Sequence, residues 1–275
     1  MLHKQVCEVV DAHWNGIPEK PEIRDADGWK IQSARAAIKG RKSDRVLLLT
    51  LTVRNPKADE LSDTIKKMSK AWMRLSDDDR VKGSVKGWFR ALEVTYNAKD
   101  DTYHPHYHVL LMVRGDYFDT RKTHYIPQEE WQQIWQRVLD VDYLPSVDIR
   151  SVNGKAGSKL TEETKKALHE STKYATKPQN MYKLFPDGAT VPEHIVKTLH
   201  DALKGKRLVG WGGTFKQLRA ELALPDVESP NTDLTDKCEI PAGTEPVAVH
   251  VYRWFMGPTH RPDYYLRTLK EQKAA

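Results

Sequence analysis

The chain has 275 residues, of which 39% are hydrophobic and 30% charged, and its formal net charge is +6. No apolar run reaches the roughly 20 residues that span a bilayer, and the two cysteines, Cys7 and Cys238, are too few for a disulfide framework. The first residues lack the apolar core of a signal peptide, so we expect a cytoplasmic protein with no membrane partner. The basic balance suits a polyanionic partner without requiring one.

Residues 1–44 have no clear hydrophobic period and become basic toward their end. We interpret them as an N-terminal segment, compatible with a helix, that contacts DNA; a solvated basic face is the alternative. The basic side chains on the approach to the first predicted strand are Arg35, Lys39, Arg41, Lys42 and Arg45.

The first half of the chain contains three predicted strands and a helix. An apolar, β-rich run over residues 46–53 predicts a strand, and Arg54-Asn55-Pro56 ends it. Apolar residues at spacings of three and four then predict a helix over residues 61–75. Residues 86–96 and 104–113 predict two further strands that a polar turn joins into an antiparallel hairpin.

The second half alternates between helical and irregular patterns. Pro127 opens a helix that runs to residue 139, and residues 147–152 predict a strand. Helices are predicted over residues 159–177 and 195–203. An acidic, proline-containing loop follows over residues 225–246, and alternating valines at 247, 249 and 251 predict a late strand. This order predicts an α+β fold in which helices pack on the faces of a central antiparallel sheet.

The second strand of the hairpin carries His106 and His108, which a single residue separates. Side chains alternate across a strand, so both imidazoles project to one face, where they could share a divalent ion. A chance pair on a half-exposed strand is the alternative. His104 has the same parity, but Pro105 interrupts the strand entry, so His104 either supports the ligands, touches substrate, or is a surface histidine.

Glu93 is the best candidate for a third ligand. It lies on the paired strand between Leu92 and Val94, where a buried carboxylate is costly unless it is paired or metal-bound. With the expected register it lies across from the histidines. A set of two histidines and one carboxylate suits Mn²⁺ or Mg²⁺ bound together with a phosphate. The alternative is an ion pair between Glu93 and a basic side chain of an adjacent strand.

The predicted helix over residues 159–177 carries a second set of polar side chains. At about 100° per residue, Glu170 and Tyr174 lie one turn apart on the same side. Lys173 and Lys177 lie in the same polar arc, where they could contact phosphates. A tyrosine at this border often only packs its ring, but facing a metal it can attack a phosphodiester, with Glu170 activating water later.

Three separated motifs resemble those of the HUH endonuclease superfamily, specifically the plasmid rolling-circle replication initiators. Residues 49–55 (LTLTVRN) resemble the first-strand motif, residues 104–111 (HPHYHVLL) the metal motif, and residues 170–177 (ESTKYATK) the nucleophile helix. The motifs keep the family's order and spacing. The resemblance covers roughly residues 45–215.

The resemblance implies an HUH or RRM-like fold and a site-specific endonuclease with strand-transfer activity. By similarity, Tyr174 nicks one strand at a plasmid double-strand origin, leaving a 5′-phosphotyrosine link and a free 3′-OH primer. Glu170 acts at termination, when the end is rejoined or hydrolysed. The implied metal ligands are His106, His108 and Glu93.

The resemblance also implies partners and a division of the chain. The expected partners are origin DNA with a single-stranded or hairpin nick site, a host helicase and a DNA polymerase; whether the protein is a homodimer stays open. Residues 45–222 would form the catalytic domain, and residues 223–275 an acidic loop and a strand packed on it. The candidate DNA contacts are Lys173, Lys177 and Arg54.

Two features near the ends of the resemblance are ambiguous. Many relatives carry a cysteine-rich segment before the first motif, whereas this chain has only Cys7 there. Residues 207–213 (RLVGWGG) either help to bind DNA or form a glycine-rich turn with a packed tryptophan.

Two alternative functions remain beside the replication initiator. A single-tyrosine transposase of the same superfamily is usually shorter, and the pairing of Glu170 with Tyr174 favours the initiator. A relaxase is disfavoured because its tyrosine precedes the metal motif. The alternative from another class is a non-catalytic module that binds single-stranded nucleic acid.

Overall fold

The computed structural model describes residues 2–18, 23–24, 30–32, 38–39, 41, 43–119, 121–152, 192–226, 228, 251–256 and 262–267. The chain forms two compact units, Met1–Thr232 and Asp233–Ala275. The helix predicted over residues 159–177 and the valines at 247 and 249 lie outside the described residues, as does most of the predicted acidic loop. The domain boundaries stay a prediction.

An antiparallel sheet of five strands forms the centre of the first unit, in the order β8-β5-β7-β6-β9. Short two-stranded ladders, β1 with β4 and β2 with β3, precede it in the chain. The strands are β1 (Gly16–Ile17), β2 (Ile23–Arg24), β3 (Lys30–Gln32), β4 (Ile38–Lys39), β5 (Arg45–Thr52), β6 (Val85–Asn97), β7 (Thr102–Val113), β8 (Val147–Val152) and β9 (Val209–Gly212).

Helices cover both faces of this sheet, which confirms the predicted α+β fold. Among the described residues they are α1 (Leu2–Asn15), α2 (Leu61–Asp77), α3 (Asp79–Ser84), α4 (Gln128–Leu139), α5 (Glu193–Leu203) and α6 (Gly213–Glu221). The helices predicted to begin near residues 61, 127 and 195 are therefore present. None of the helices in the described part of the chain has the length and hydrophobicity needed to span a bilayer.

Strand alternation divides the core into two layers. On β5, Leu47, Leu49 and Leu51 face α2, α4 and α5, whereas Val46 faces α1 and α6. The apolar stripe of α2 recurs every three or four residues and is buried in the first layer; its members are Leu61, Ile65, Met68, Trp72 and Leu75. The second layer is smaller, and it shares its face of the sheet with the histidines of β7.

The glycine-rich segment over residues 207–213 is an edge strand rather than a turn. Its residues Val209–Gly212 form β9, which pairs with β6, and Trp211 packs on Phe89 with ring centres 4.7 Å apart. A Cβ on Gly212 would lie 2.1 Å from the Trp88 indole, so only glycine lets the strand approach here. Of the two interpretations of this segment, the second predicted a packed tryptophan, and Trp211 is packed.

In the second unit, two strands form an antiparallel hairpin. They are β10 (Val251–Met256) and β11 (Pro262–Arg267), and Val251 pairs with Arg267. The predicted late strand thus begins in the described residues at Val251, and the sequence pattern did not indicate β11.

Helix α1 is tied to the sheet through a buried carboxylate. Asp44 is 4% exposed, and its carboxylate lies 2.9 Å from His13 Nε2 and 2.7 Å from Lys86 Nζ. The Trp14 indole also donates to the Asp44 carbonyl at 3.0 Å. Burial raises the pKa of the Asp44 carboxyl, but the hydrogen bonds with His13 and Lys86 outweigh burial and hold the pKa below its ordinary value.

We expect Asp44→Asn to lower the free energy of unfolding by about 2–4 kcal/mol at neutral pH, because it removes one partner of a buried pair. Because the pKa of the Asp44 carboxyl is lower in the folded than in the unfolded protein, its ionised form stabilises the fold above the ordinary pKa of about 4. That stabilisation is lost as the pH falls from there through the pKa of the folded state. The difference between wild type and variant, measured by urea denaturation, should therefore shrink below about pH 4.

Asp63→Asn is the matched control, because Asp63 is exposed and its ion pair, with Lys66 at 2.8 Å, is exposed as well. It should change stability by less than about 0.5 kcal/mol. Equal stabilities of wild type and Asp44→Asn at neutral pH would show that Asp44 does not anchor α1.

Candidate metal centre

The candidate site is built on the long hairpin of β6 and β7. Glu93 lies directly opposite His106, and Ala91 lies opposite His108. Directly opposed residues share a face, so the carboxylate and both imidazoles project to the same side of the sheet. This is the side that carries Leu110 of the second core layer.

The three functional groups converge on one point. His106 Nε2 lies 3.1 Å from His108 Nε2, and Glu93 Oε2 lies 3.0 Å from His108 Nε2 and 3.4 Å from His106 Nε2. Glu93 and His106 are only 4% and 8% exposed. Among the described residues these three form a buried group that could hold a metal ion.

The geometry of this cluster fits a divalent cation. Donor atoms about 2.1 Å from an octahedral ion at right angles are about 3 Å apart, close to the observed spacings. His106 Nδ1 lies 3.1 Å from the His104 carbonyl, which accepts only if this nitrogen carries the proton. The Nε2 lone pair of His106 is then directed into the cluster, as metal ligation requires.

The surroundings of Glu93 keep its carboxylate in the ionised form that binds a cation. Burial raises the pKa of the Glu93 carboxyl, but the hydrogen bonds with His106 and His108 lower it more, and the net pKa is well below the usual range. A buried, ionised carboxylate beside two imidazoles is a donor set that suits a divalent metal ion.

His104 lies next to this cluster and outside it. Its ring centre is 4.9 Å from that of His106, and its Nδ1 donates to Asn55 Oδ1 at 2.7 Å. Burial, followed by the nearby His106, lowers the pKa of His104, which favours its neutral form. The structure therefore brings Glu93, His106 and His108 together and places His104 beside them.

Arg54 is held by an aromatic residue that the sequence reasoning missed. Its backbone N–H donates to Tyr143 Oη at 2.9 Å, and its guanidinium carbon lies 4.3 Å from the centre of the Tyr143 ring. Asn55 was also missed, although it belongs to the first motif. Nothing in the sequence signals the pairing with Tyr143, which lies 89 residues further along the chain.

Four predicted site residues lie outside the described residues. They are Glu170, Lys173, Tyr174 and Lys177, and their roles stay predictions, as does the contact of Arg54 with DNA.

Comparison with known proteins identifies the family. The sequence profile of a replication protein family matches residues 27–264. The chain therefore belongs to this replication protein (Rep) family, which confirms the predicted relation to plasmid replication initiators.

Several relatives share a third or more of their aligned residues with this chain. It is 40% identical over 215 residues to "Protein rep" of Streptococcus pneumoniae, an alignment that covers 78% of this chain and 63% of that protein. It is 38% identical over 233 residues to "Protein rep" of Bacillus sp, covering 80% and 72%. For "Protein rep" of Bacillus amyloliquefaciens the identity is 39% over 194 residues, and the chain spans 55% of that protein. No solved structure matches significantly.

Proposed function

We propose that this protein initiates rolling-circle replication of a plasmid by nicking one DNA strand at the origin. The observation that carries the proposal is the buried cluster of Glu93, His106 and His108 at the centre of a replication protein. A buried carboxylate is costly, and binding a catalytic cation gives it a function that a DNA-binding module would not need.

Each residue has a defined task in the proposed reaction. Glu93, His106 and His108 would hold an Mn²⁺ or Mg²⁺ ion, which when bound polarises the scissile phosphodiester. Tyr174 attacks phosphorus through its phenol oxygen, so that a tyrosine O–P bond forms as the bond from phosphorus to the 3′ oxygen breaks. The phenol loses its proton, and the departing 3′ oxygen gains one and becomes the primer hydroxyl.

The hairpin would keep the ligands in place during this reaction. Both strands lie inside the five-stranded sheet: β5 pairs with β7 over both histidines, and β9 pairs with β6 as far as Ala91. The contact of His106 Nδ1 with the His104 carbonyl orients the imidazole so that Nε2 faces the cluster, and Glu93 supplies an ionised carboxylate. Lys173, Lys177 and Arg54 would contact the DNA backbone.

Replication that starts from a free 3′-OH requires two further proteins. Extension of the primer needs a DNA polymerase, and displacement of the nicked strand needs a helicase, so we propose that both come from the host. Strand transfer at the end of a round would restore a closed circle.

The proposal is tested with supercoiled plasmid that carries the cognate origin. With Mn²⁺, wild type should convert it to open circles whose 3′ ends a polymerase extends, and denaturing gels should show protein bound to the 5′ end. A plasmid without the origin, or excess chelator, should give neither product. If the origin plasmid is bound but never nicked, the protein is a non-catalytic DNA-binding module.

We expect Glu170→Ala to form the nick at a rate close to that of wild type but to retain the covalent adduct. The reason is that Glu170 would accept a proton from the water that releases the protein from DNA, and loss of a general base slows such a step by about 10²–10⁴-fold. Adduct decay after a chase with unlabelled origin DNA measures this rate. Glu163→Ala, on the same predicted helix, should decay like wild type; equal decay of both variants would remove Glu170 from the mechanism.

A further inference from the structure

A cavity of about 450 Å³ lies where β5 ends, between the start of α2 and the end of α4. Its floor is apolar and is formed by Val53, Pro56, Met68, Leu139 and Val141. Tyr143 and Arg54 form one wall. The rest of the lining is polar or charged, so the cavity offers both an apolar surface and hydrogen-bonding groups to a ligand.

The wall of this cavity is an aromatic platform that is already held in place. The Tyr143 hydroxyl accepts the Arg54 backbone N–H at 2.9 Å, and the Arg54 guanidinium lies against the ring. Both groups are flat and can stack on a third planar group, because guanidinium and phenol rings pack against nucleobases. Because Arg54 and Tyr143 already hold each other in place, stacking a base on them would cost little side-chain conformational entropy.

Three carboxylates and one ammonium group line the cavity, and the ammonium group of Lys67 already donates to the Asp140 carbonyl at 3.0 Å. Asp59 is exposed and has no hydrogen-bonding partner in the described part of the chain, whereas Glu60 accepts the backbone N–H of Lys57 at 3.2 Å and Asp63 pairs with Lys66. Carboxylates repel phosphate groups but accept hydrogen bonds from exocyclic amino groups such as N4 of cytosine. The cavity thus suits the base of a nucleotide whose phosphate lies elsewhere.

Two successive side-chain contacts connect the cavity to the candidate metal centre. Asn55 lines the cavity, and its Oδ1 lies 2.7 Å from His104 Nδ1. The His104 ring in turn packs on His106, a member of the metal cluster. One strand of DNA could therefore place a phosphate at the cluster and a nearby base in the cavity.

We propose that this cavity is a nucleobase pocket that selects an amino-bearing base in the DNA strand bound at the metal centre. This inference depends on the proposed function, which identifies the bound strand as DNA. The Asp59 carboxylate accepts a hydrogen bond from the amino group of the base, and the Tyr143 ring stacks on the base. Thymine has no exocyclic amino group, so it is the disfavoured base.

The test measures binding without nicking. Fluorescence anisotropy in excess chelator compares an oligodeoxycytidine with an oligodeoxythymidine of equal length. Wild type should bind the cytidine oligomer about tenfold more tightly, within the range for one stacked and hydrogen-bonded base. Asp59→Ala should reduce this ratio to about one, and Tyr143→Leu should weaken cytidine binding about tenfold.

Two matched controls lie away from the cavity. Asp79→Ala removes an exposed carboxylate at the start of α3, and Tyr125→Leu removes a tyrosine that is 36% exposed. Both should keep the wild-type preference. The proposed pocket is wrong if wild type binds the two oligomers equally, or if Asp59→Ala keeps the preference for the cytidine oligomer.

Failure of the pocket and failure of the nicking proposal give different results. If the origin plasmid is nicked while the two oligomers bind equally, the pocket is wrong and the proposed function stands. If no adduct forms on the origin plasmid, the nicking proposal is wrong, and a cytidine preference that Asp59→Ala removes would still support the pocket.

Discussion

Tyr174→Phe should abolish nicking of the origin plasmid, with a loss of roughly 10⁴-fold or more, the scale seen when an enzyme loses its nucleophile. Phenylalanine keeps the ring and removes only the oxygen that would attack phosphorus. Binding of single-stranded origin DNA, measured by anisotropy, should stay within about twofold of wild type. The rate of open-circle formation with Mn²⁺ measures the loss.

The control for this variant is Tyr125→Phe, which removes the hydroxyl of a tyrosine between β7 and α4 that is 36% exposed. It should nick like wild type. If Tyr174→Phe retains more than a few per cent of wild-type nicking, the nucleophile is another residue and the resemblance of residues 170–177 to the nucleophile motif is misleading.

His108→Ala should lower nicking by about 10³-fold at limiting Mn²⁺, because it removes one of three donors from the cluster. Its Nε2 lies 3.1 Å from His106 Nε2 and 3.0 Å from Glu93 Oε2, so its removal leaves the cluster with two of its three donors. Mn²⁺ at about 100 times its Kd should stabilise wild type by about 2.7 kcal/mol and the variant much less. Thermal unfolding with and without Mn²⁺ measures the difference.

His200→Ala is the matched control for the metal site. His200 is exposed on α5 and contacts only the neighbouring Asp201 among the described residues. It should retain both nicking and the Mn²⁺-dependent rise in Tm. If His108→Ala keeps the same Tm rise as wild type, Mn²⁺ binds somewhere other than this cluster.

The central hairpin could be predicted from sequence because strand alternation and a single polar turn determine its register. Once that turn joins the two strands, Glu93 must lie near His106, and the observed pairing is direct opposition. The parity of His106 and His108 follows from the same alternation. The donor set of the candidate metal centre therefore follows from the sequence.

The surroundings of the metal cluster could not be predicted in the same way, because they depend on contacts between distant segments. Asn55 reaches His104 across 49 residues, and Tyr143 reaches Arg54 across 89. Neither pair produces a periodic pattern. Their partners are decided by how α2 and α4 pack on the sheet, which only the assembled fold determines.

Edge elements were the other part that sequence patterns did not indicate. Residues 209–212 contain two glycines and read as a turn, yet they form β9 because Trp211 and Gly212 pack on the aromatic side chains of β6. Tertiary packing outweighs local propensity at such short strands. Helix α3 is similarly short and begins at a cap, with Asp78 accepting the Arg80 backbone N–H at 3.0 Å.

The most direct test of the account is a peptide map of the covalent adduct. Wild type is incubated with Mn²⁺ and origin DNA, digested with nuclease and protease, and analysed by mass spectrometry. The account predicts a nucleotide phosphate linked to Tyr174, formed by wild type and absent from a variant that lacks His108. A phosphate on any other residue, or nicked DNA with no protein attached, would contradict it.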